Sequence, residues 1–419
     1  MYFKFVVLAA FCCIATSAEF TSYEGHKVYD IKPENTVHQE LLARLAQNDV
    51  YDFFTLPRVL GLSARVLVQP EQQAEFEQTL QAAQLPYEVV NENFGETVAE
   101  ERMQNNFFRN LRSSSRSSIS FSAYQRYDAI NSYLDQLAEN YPSRVNLKTI
   151  GKSYGGLALR TITITNGDGN TNKKVILLDA GIHAREWIAP AGALYVIQQL
   201  VENFEENSHL LETYDWVILP VVNPDGYEYT HTNTRMWRKT RKPASKSCVG
   251  TDANRNFDFH WGEVGASSSA CSDTYKGASA FSEPETQALR DLMHSLTGRA
   301  KFYLTLHSYG NYLLYPWGYT SALPDTWEDI DEVAQAGAAA IKSGTGTDYT
   351  VGSSTNVLYA AAGGSDDYAF AAAGIPISIT MELPAAGNGF NPAPSKIEEL
   401  VRETWLGIKA MAEKVEQKY

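Results

Sequence analysis

The alternation of strand-like and helix-like segments after residue 120 is the feature that most restricts the fold of this chain. Apolar runs such as Lys174–Ala180 and Phe302–Leu306 are typical of buried strands, whereas Asp329–Lys342 and Ile397–Val415 carry apolar residues at helical spacing. The same reading predicts strands at Leu159–Thr165, Asp215–Val222 and Ile375–Met381, and helices at Ala123–Asn140, Leu194–Phe204 and Glu283–Leu296. Such alternation favours an α/β domain, and we expect a mixed β-sheet flanked by helices.

The part of the chain from Glu19 to about Asn110 has a pattern of its own. Short strands are expected at Lys27–Ile31, Ala64–Val68 and Tyr87–Asn91, and helices at Thr36–Gln47 and Glu71–Ala83. This pattern predicts a small α+β domain that precedes the larger one.

A stretch rich in arginine and serine, residues 109–118, separates the two parts. It has few apolar side chains to bury, so we expect an exposed linker that proteases can reach. A trypsin-like enzyme would cut after Arg112 or Arg116, and a flexible linker that stays uncut is the alternative.

Residues 1–18 have the pattern of a secretory signal peptide. Lys4 precedes a short apolar run, Phe5–Ile14, and small residues follow it. That run is too short to cross a bilayer, and no later stretch has 18 or more consecutive apolar residues. We expect a secreted, extracellular protein without a membrane anchor, and a monomer is the default expectation.

Two of the four cysteines, Cys12 and Cys13, lie in the predicted signal peptide, which leaves Cys248 and Cys271. In an oxidising compartment one disulfide is the simplest interpretation, and two buried free thiols are the alternative. Their spacing disfavours a zinc site built from this pair.

The net charge of −14 argues against nucleic acid as a partner. Binding to phosphates requires a basic face that displaces counterions.

Two histidines and a glutamate stand at the ends of predicted strands. His183 and Glu186 follow the strand Lys174–Ala180, and His307 follows Phe302–Leu306. Two imidazoles and a carboxylate can hold Zn²⁺ and leave a fourth position open for water. The HxxE pair alone is a weak signal that a surface ion pair also explains, and His307 strengthens it.

Other polar residues have less specific patterns. Asn254 and Arg255 could bind a terminal carboxylate, and Arg238 could stabilise a developing oxyanion, although arginines beside tryptophan are more often surface cation–π pairs. Glu382 ends the apolar run from Ile375 and is a candidate general base, with a surface charge as the alternative. The segment 151–155 fits a GxSxG nucleophile motif, but a strand follows it where the motif requires a helix.

Taken in order, these segments resemble the digestive zinc metallocarboxypeptidases of the A/B type. The resemblance covers nearly the whole chain and is carried by His183-Ala-Arg-Glu186-Trp, Asn223-Pro-Asp-Gly-Tyr, Arg235-Met-Trp-Arg-Lys-Thr-Arg, Asp252-Ala-Asn-Arg-Asn, His307-Ser-Tyr, Tyr359 before Gly363-Gly-Ser-Asp-Asp, and Thr380-Met-Glu382-Leu. It implies a signal peptide at 1–18, an activation propeptide at 19–112 and a catalytic domain at 113–419. A trypsin-like protease would activate this precursor, and peptide or protein C-termini would be its substrates.

The resemblance also implies a role for each motif residue. His183, Glu186 and His307 would hold one Zn²⁺, Glu382 would activate water, and Arg238 would stabilise the tetrahedral intermediate. Asn254, Arg255 and Tyr359 would hold the terminal carboxylate, and Arg185 and Tyr309 would lie in the upstream subsite. Cys248 and Cys271 match the disulfide positions of the family.

Asp366 decides the specificity that the resemblance implies. An acid at this position, in the pocket for the departing side chain, marks the B type, which removes Lys and Arg. An apolar side chain there would leave the charge unpaired. Removal of apolar or aromatic residues, as in the A type, is one alternative, and an inactive binding protein on the same fold is another.

Overall fold

The computed structural model describes residues 20–48, 50–56, 60–112, 119–387 and 389–419, with only the backbone of residues 111 and 112. The predicted signal peptide and the serine-rich residues 113–118 lie outside the described residues. None of the described helices is both long enough and apolar enough to cross a membrane.

The N-terminal unit is a small α+β domain, as predicted. Its strands are β1 (Lys27–Ile31), β2 (Tyr51–Thr55), β3 (Ala64–Val68) and β4 (Tyr87–Asn91), and its helices are α1 (Thr36–Leu45), α2 (Gln73–Ala82) and α3 (Phe94–Arg112). The strands form one antiparallel sheet in the order β2-β3-β1-β4. Tyr29, Val66 and Phe76 are fully buried between this sheet and the helices. The prediction of β1, β3 and β4 is confirmed at the same bounds.

Helix α3 corrects part of the linker prediction. The helix continues to Arg112, so the first four residues of the stretch 109–118 are helical. Arg109 of this helix donates a hydrogen bond of 3.1 Å to the carbonyl oxygen of Tyr124. This contact holds the end of α3 against the larger domain, which composition alone does not reveal.

The larger domain contains an eight-stranded mixed sheet among the described residues. Its strands are β5 (Val145–Lys152), β6 (Ala158–Ile164), β7 (Lys174–Ala180), β8 (Tyr214–Leu219), β9 (Ala300–Ser308), β10 (Tyr312–Tyr315), β11 (Thr350–Ser353) and β12 (Ile377–Leu383), in the order β11-β10-β12-β9-β7-β8-β6-β5. The four central strands β8, β7, β9 and β12 are parallel, and the outer strands β10, β6 and β5 add antiparallel pairs. The predicted mixed sheet is confirmed.

Helices cover both faces of this sheet. They are α4 (Tyr127–Asn140), α5 (Ile188–Val201), α6 (Phe204–Asn207), α7 (Pro224–Thr232), α8 (Pro284–Ser295), α9 (Trp327–Thr345), α10 (Ser354–Val357), α11 (Ser365–Ala371) and α12 (Ile397–Lys418). One apolar core includes α4, α5, α9 and α12, and a second core on the other face includes α8 and α11. With both faces covered, the carboxyl ends of the central parallel strands are the natural place for a ligand site.

Two local predictions are confirmed. Cys248 and Cys271 form a disulfide. The segment 151–155 lies in the hairpin between β5 and β6, so a strand follows it and not the helix that a nucleophile motif requires. Ser153 of this segment donates a hydrogen bond of 2.6 Å to Asp225.

Candidate metal and substrate site

The three predicted metal ligands meet at the carboxyl ends of β7 and β9. His183 and Glu186 lie in the turn between β7 and α5, and His307 is the penultimate residue of β9. All three are buried, and each offers a ligand atom within 4.8 Å of the others. Nδ1 of His183 lies 2.8 Å from Glu186 Oε1 and 3.2 Å from Nδ1 of His307.

These separations fit a zinc ion. Ligand atoms at about 2.0–2.1 Å from a tetrahedral zinc lie about 3.3 Å from one another. The two imidazole nitrogens and the carboxylate face one another, and a positive charge between them would stabilise this arrangement. Burial alone would lower the pKa of His307, but the carboxylate of Glu186 outweighs burial and raises that pKa to about 9. The site therefore attracts a cation.

A carboxylate that the sequence interpretation missed lies behind this site. Oδ1 of Asp252 lies 3.1 Å from Nε2 of His183, and Oδ2 accepts a hydrogen bond of 2.9 Å from Arg238. Burial would raise the pKa of Asp252, but Arg238 and His183 hold it well below its usual range. A carboxylate on the second nitrogen of a metal-binding histidine fixes the tautomer that binds the metal. The sequence signal for Asp252 was its place at the start of the Asp252-Ala-Asn-Arg-Asn motif, to which no role of its own was assigned.

Glu382 lies beside the metal ligands on the neighbouring strand. It pairs in register with His307 across β12 and β9, and its Oε2 is buried without a hydrogen-bond partner among the residues that the structure describes. Burial, together with the nearby charge of Glu186, raises the pKa of Glu382 to about 7 against the opposing effect of His307. A carboxyl group with this pKa can both accept and return a proton near neutral pH.

A cleft extends from the metal site, and it is lined by His183, Glu186, His307 and Glu382 at one side. Asn254, Arg255 and Tyr359 lie together along the same cleft. Arg255 donates 2.8 Å to the carbonyl oxygen of Asn254, and its second terminal nitrogen lies 3.4 Å from the hydroxyl of Tyr359. The Asn254 side-chain oxygen accepts a hydrogen bond of 2.9 Å from the backbone N–H of Ser365. This leaves the Asn254 amide nitrogen, the guanidinium and the phenol as three donors suited to a carboxylate.

Asp366 lines this cleft and its neighbour Asp367 has a different role. Oδ2 of Asp366 accepts a hydrogen bond of 3.1 Å from Thr380, and no ion pair between described residues includes Asp366. Asp367 is fully buried and accepts hydrogen bonds from the backbone of Gly318 and Tyr319. Burial and the charge of Asp366 raise the pKa of Asp367 well above its usual range. Gly318, Ser354, Leu358 and Thr380 line the same cleft.

The N-terminal unit covers the open side of the cleft. Asp52 of β2 accepts two hydrogen bonds of 3.0 Å from Arg185, and Phe54 packs on Phe390, with ring centroids 5.1 Å apart. Phe390 in turn contacts the ring of Tyr309 at 5.0 Å. Strand β2 therefore occupies the part of the cleft that lies next to Arg185 and Tyr309.

A second ion pair joins the two parts through α3. Arg235 and Glu101 are both buried, with 2.6 Å between Nε and Oε2, and the guanidinium stacks on Trp187. Asn391 donates a further hydrogen bond of 2.9 Å to Glu101. The contact between the domains therefore extends beyond the cleft.

Family comparisons agree with this geometry. Residues 130–407 match the family model described as zinc carboxypeptidase, and residues 29–101 match the carboxypeptidase activation peptide. The chain belongs to the zinc carboxypeptidase family. It is thus a zinc-dependent hydrolase with an activation peptide that precedes its catalytic domain.

Relatives of this zinc carboxypeptidase carry names of both types. Carboxypeptidase B of Helicoverpa zea is 39% identical and covers 97% of each chain, and zinc carboxypeptidase A 1 of Drosophila melanogaster is 38% identical and covers 98% of this chain and 96% of its own. The crystal structure of the carboxypeptidase A from Helicoverpa armigera superposes with a TM-score of 0.88 at 36% identity, over 94% of this chain and 98% of that one.

Proposed function

We propose that this chain is a secreted carboxypeptidase precursor whose mature form removes single Lys or Arg residues from the carboxyl ends of peptides. The observation that carries the specificity is Asp366. Its carboxylate lines the cleft without an ion-pair partner among the described residues. A cationic side chain would supply the missing charge, and an apolar one would leave the carboxylate desolvated and unpaired.

The metal site would be built from His183, Glu186 and His307. Zinc, when bound, lowers the pKa of a water molecule and polarises a carbonyl group. The protein keeps this site in shape through Asp252, which holds His183 by its second nitrogen.

Two further residues would move the charge during hydrolysis. Glu382 would take the proton of the attacking water and later deliver it to the departing amine, because its pKa of about 7 suits both steps. As the water oxygen bonds to the carbonyl carbon, negative charge develops on the carbonyl oxygen. Arg238, fixed by Asp252, would stabilise that charge until the C–N bond breaks.

The exopeptidase character follows from the donors on the other side of the cleft. Asn254, Arg255 and Tyr359 would hold the terminal carboxylate of the substrate. A peptide without a free carboxyl end at this point would leave these donors unpaired. Only the last peptide bond would then reach Glu382.

The N-terminal part, residues 19–112, would act as an inhibitory propeptide of the catalytic domain, residues 113–419. Strand β2 fills the upstream side of the cleft. There Asp52 binds Arg185, and Phe54 packs on Phe390, which in turn contacts Tyr309. A trypsin-like protease that cuts after Arg112 or Arg116 would start activation. The mature enzyme would act as an extracellular monomer.

Cleavage of blocked dipeptides that end in Arg, Lys, Phe or Leu tests this proposal. The protein is assayed before and after treatment with trypsin, with and without a zinc chelator. We expect chelator-sensitive release of Arg and Lys, at least about tenfold faster than release of Phe and Leu, and only after trypsin treatment. Preference for Phe or Leu would contradict the role of Asp366, and release of none would support an inactive binding protein.

A further inference from the structure

Asp366 lies in a helix that is too short to be stable without contacts to the rest of the domain. Helix α11 has 7 residues, and its N-cap residue, Gly364, contributes no side-chain hydrogen bond. Helices this short are not stable by themselves. Contacts with the rest of the domain must therefore determine where the first turn of α11, and with it Asp366, lies.

Several side chains supply these contacts: Asp367 binds the backbone of Gly318 and Tyr319, and the buried Ser378 and the partly buried Asn254 add one hydrogen bond each. Ser378 donates a hydrogen bond of 2.8 Å from its hydroxyl to the backbone carbonyl oxygen of Asp366, and Asn254 accepts one from the backbone N–H of Ser365. Ser378 is fully buried in β12 and pairs in register with Tyr303 of β9. A central strand, paired on both sides, thus holds the first turn of the helix.

The same strand holds the carboxylate. Ser378 and Thr380 are two residues apart, so their side chains project from the same face of β12. Thr380 binds Oδ2 of Asp366. On the other side, a Cβ atom at Gly364 would come within 2.8 Å of Oδ1, so the carboxylate packs directly against this glycine. The backbone and the side chain of Asp366 are therefore both held in place on this side of the cleft.

We propose that Ser378 is a positioning residue of the specificity pocket. Its hydroxyl fixes the first turn of α11 and so sets the distance between the Asp366 carboxylate and a substrate side chain. This inference rests on the proposed function, because it takes the cleft around Asp366 as the pocket for the departing side chain. Ser378 lies behind this helix and acts on substrate only through Asp366.

The Ser378→Ala variant tests the role on blocked dipeptides that end in Arg, Phe and Gly, with the trypsin-treated full-length protein. A terminal glycine places no side chain in the pocket. We expect KM for the preferred side chain to rise about fivefold, with kcat within about twofold and the glycine substrate unaffected. Ser353→Ala is the matched control, because its buried hydroxyl at the end of β11 has no partner among the described residues.

Two results would overturn the proposal: equal changes in KM for the glycine substrate, or no change in KM for any substrate. If Ser378→Ala does not fold, Ser378→Cys makes the same comparison, since a thiol of similar size is a weak donor. If the unmodified enzyme prefers Phe to Arg, the proposed function fails. The comparison of Phe with Gly then still tests whether Ser378 positions the pocket.

Discussion

His183 and Asp252 are joined by a hydrogen bond of 3.1 Å between Nε2 of the imidazole and Oδ1 of the carboxylate. The second oxygen of the same carboxylate binds Arg238 at 2.9 Å. One buried group therefore orients both His183 of the metal triad and Arg238, the cation that we propose stabilises the developing oxyanion. Any change at Asp252 should act on metal affinity and on the chemical step together.

We expect Asp252→Asn to weaken zinc binding by about 10- to 100-fold, because the amide cannot hold the histidine with the charge that strengthens it as a ligand. Competition with a chromogenic chelator measures the affinity. At saturating zinc, kcat should still be reduced, since Arg238 loses its charged partner. Asp225→Asn is the control, because the hydrogen-bond partner of Asp225 is Ser153 in the hairpin between β5 and β6. An unchanged zinc affinity would contradict the prediction.

The Asp366→Asn variant should lose its preference for Arg and Lys substrates and keep most of its activity on the Phe substrate. We expect kcat/KM for Arg and Lys substrates to fall about 10- to 100-fold, which corresponds to one hydrogen bond to a charged group, while the Phe substrate changes less than about threefold. Asp367→Asn is the matched control, since Asp367 binds the backbone of Gly318. Equal loss on all substrates in both variants would indicate a structural role for Asp366.

The sequence located the metal ligands because their positions follow from strand ends. His183 and His307 stand just after or at the ends of β7 and β9, and parallel neighbours bring their carboxyl ends to one edge. Asp252 was missed because no periodicity connects it to His183, 69 residues earlier. Side-chain chemistry suggested that Asn254 and Arg255 could bind a carboxylate, and the family resemblance supplied the other substrate-binding roles; all of them remain predictions.

The fold was predictable where each segment has a pattern of its own. Strands β1, β3, β4 and β7 were predicted at their observed bounds, because each is a compact apolar or alternating run. Helix α3 was missed, since it has a mostly polar surface and depends on contacts such as that of Glu101 with Arg235. Such a helix is stabilised by the neighbouring domain, and its own residues give a weak signal.

Removal of the ion pair between Asp52 and Arg185 should increase the basal activity of the uncut precursor. Asp52→Ala should raise the activity of the uncut protein toward a short peptide by about threefold to tenfold, because Arg185 loses the charged partner that ties it to β2. Steady-state assays without trypsin measure this basal rate. Glu92→Gln is the control, since Glu92 pairs with Lys27 on the surface of the N-terminal unit. Identical basal rates in all three proteins would show that Asp52 does not hold the cleft closed.

Glu285 predicts how the stability of the protein depends on pH. Its carboxyl group is fully buried at the start of α8, where Oε1 accepts a hydrogen bond of 3.0 Å from the backbone N–H of Tyr154. Burial, with smaller contributions from Glu283 and Asp225, raises the pKa of Glu285 from 4.5 to about 7. The folded protein therefore binds this proton more tightly than the unfolded chain does.

Stability should consequently fall as pH rises from about 4.5 to 7 and then level off. In this range the folded protein keeps the proton of Glu285 and the unfolded chain releases it, so a lower proton concentration favours unfolding. Glu285→Gln stays neutral and can still accept the hydrogen bond from Tyr154. The free energy of unfolding of this variant, relative to the unmodified protein, should thus increase by up to about 3 kcal/mol between pH 4 and pH 8. Urea unfolding at several pH values measures the difference, with the exposed Glu399→Gln as control. A difference that does not vary with pH would mean that Glu285 ionises normally in the folded protein.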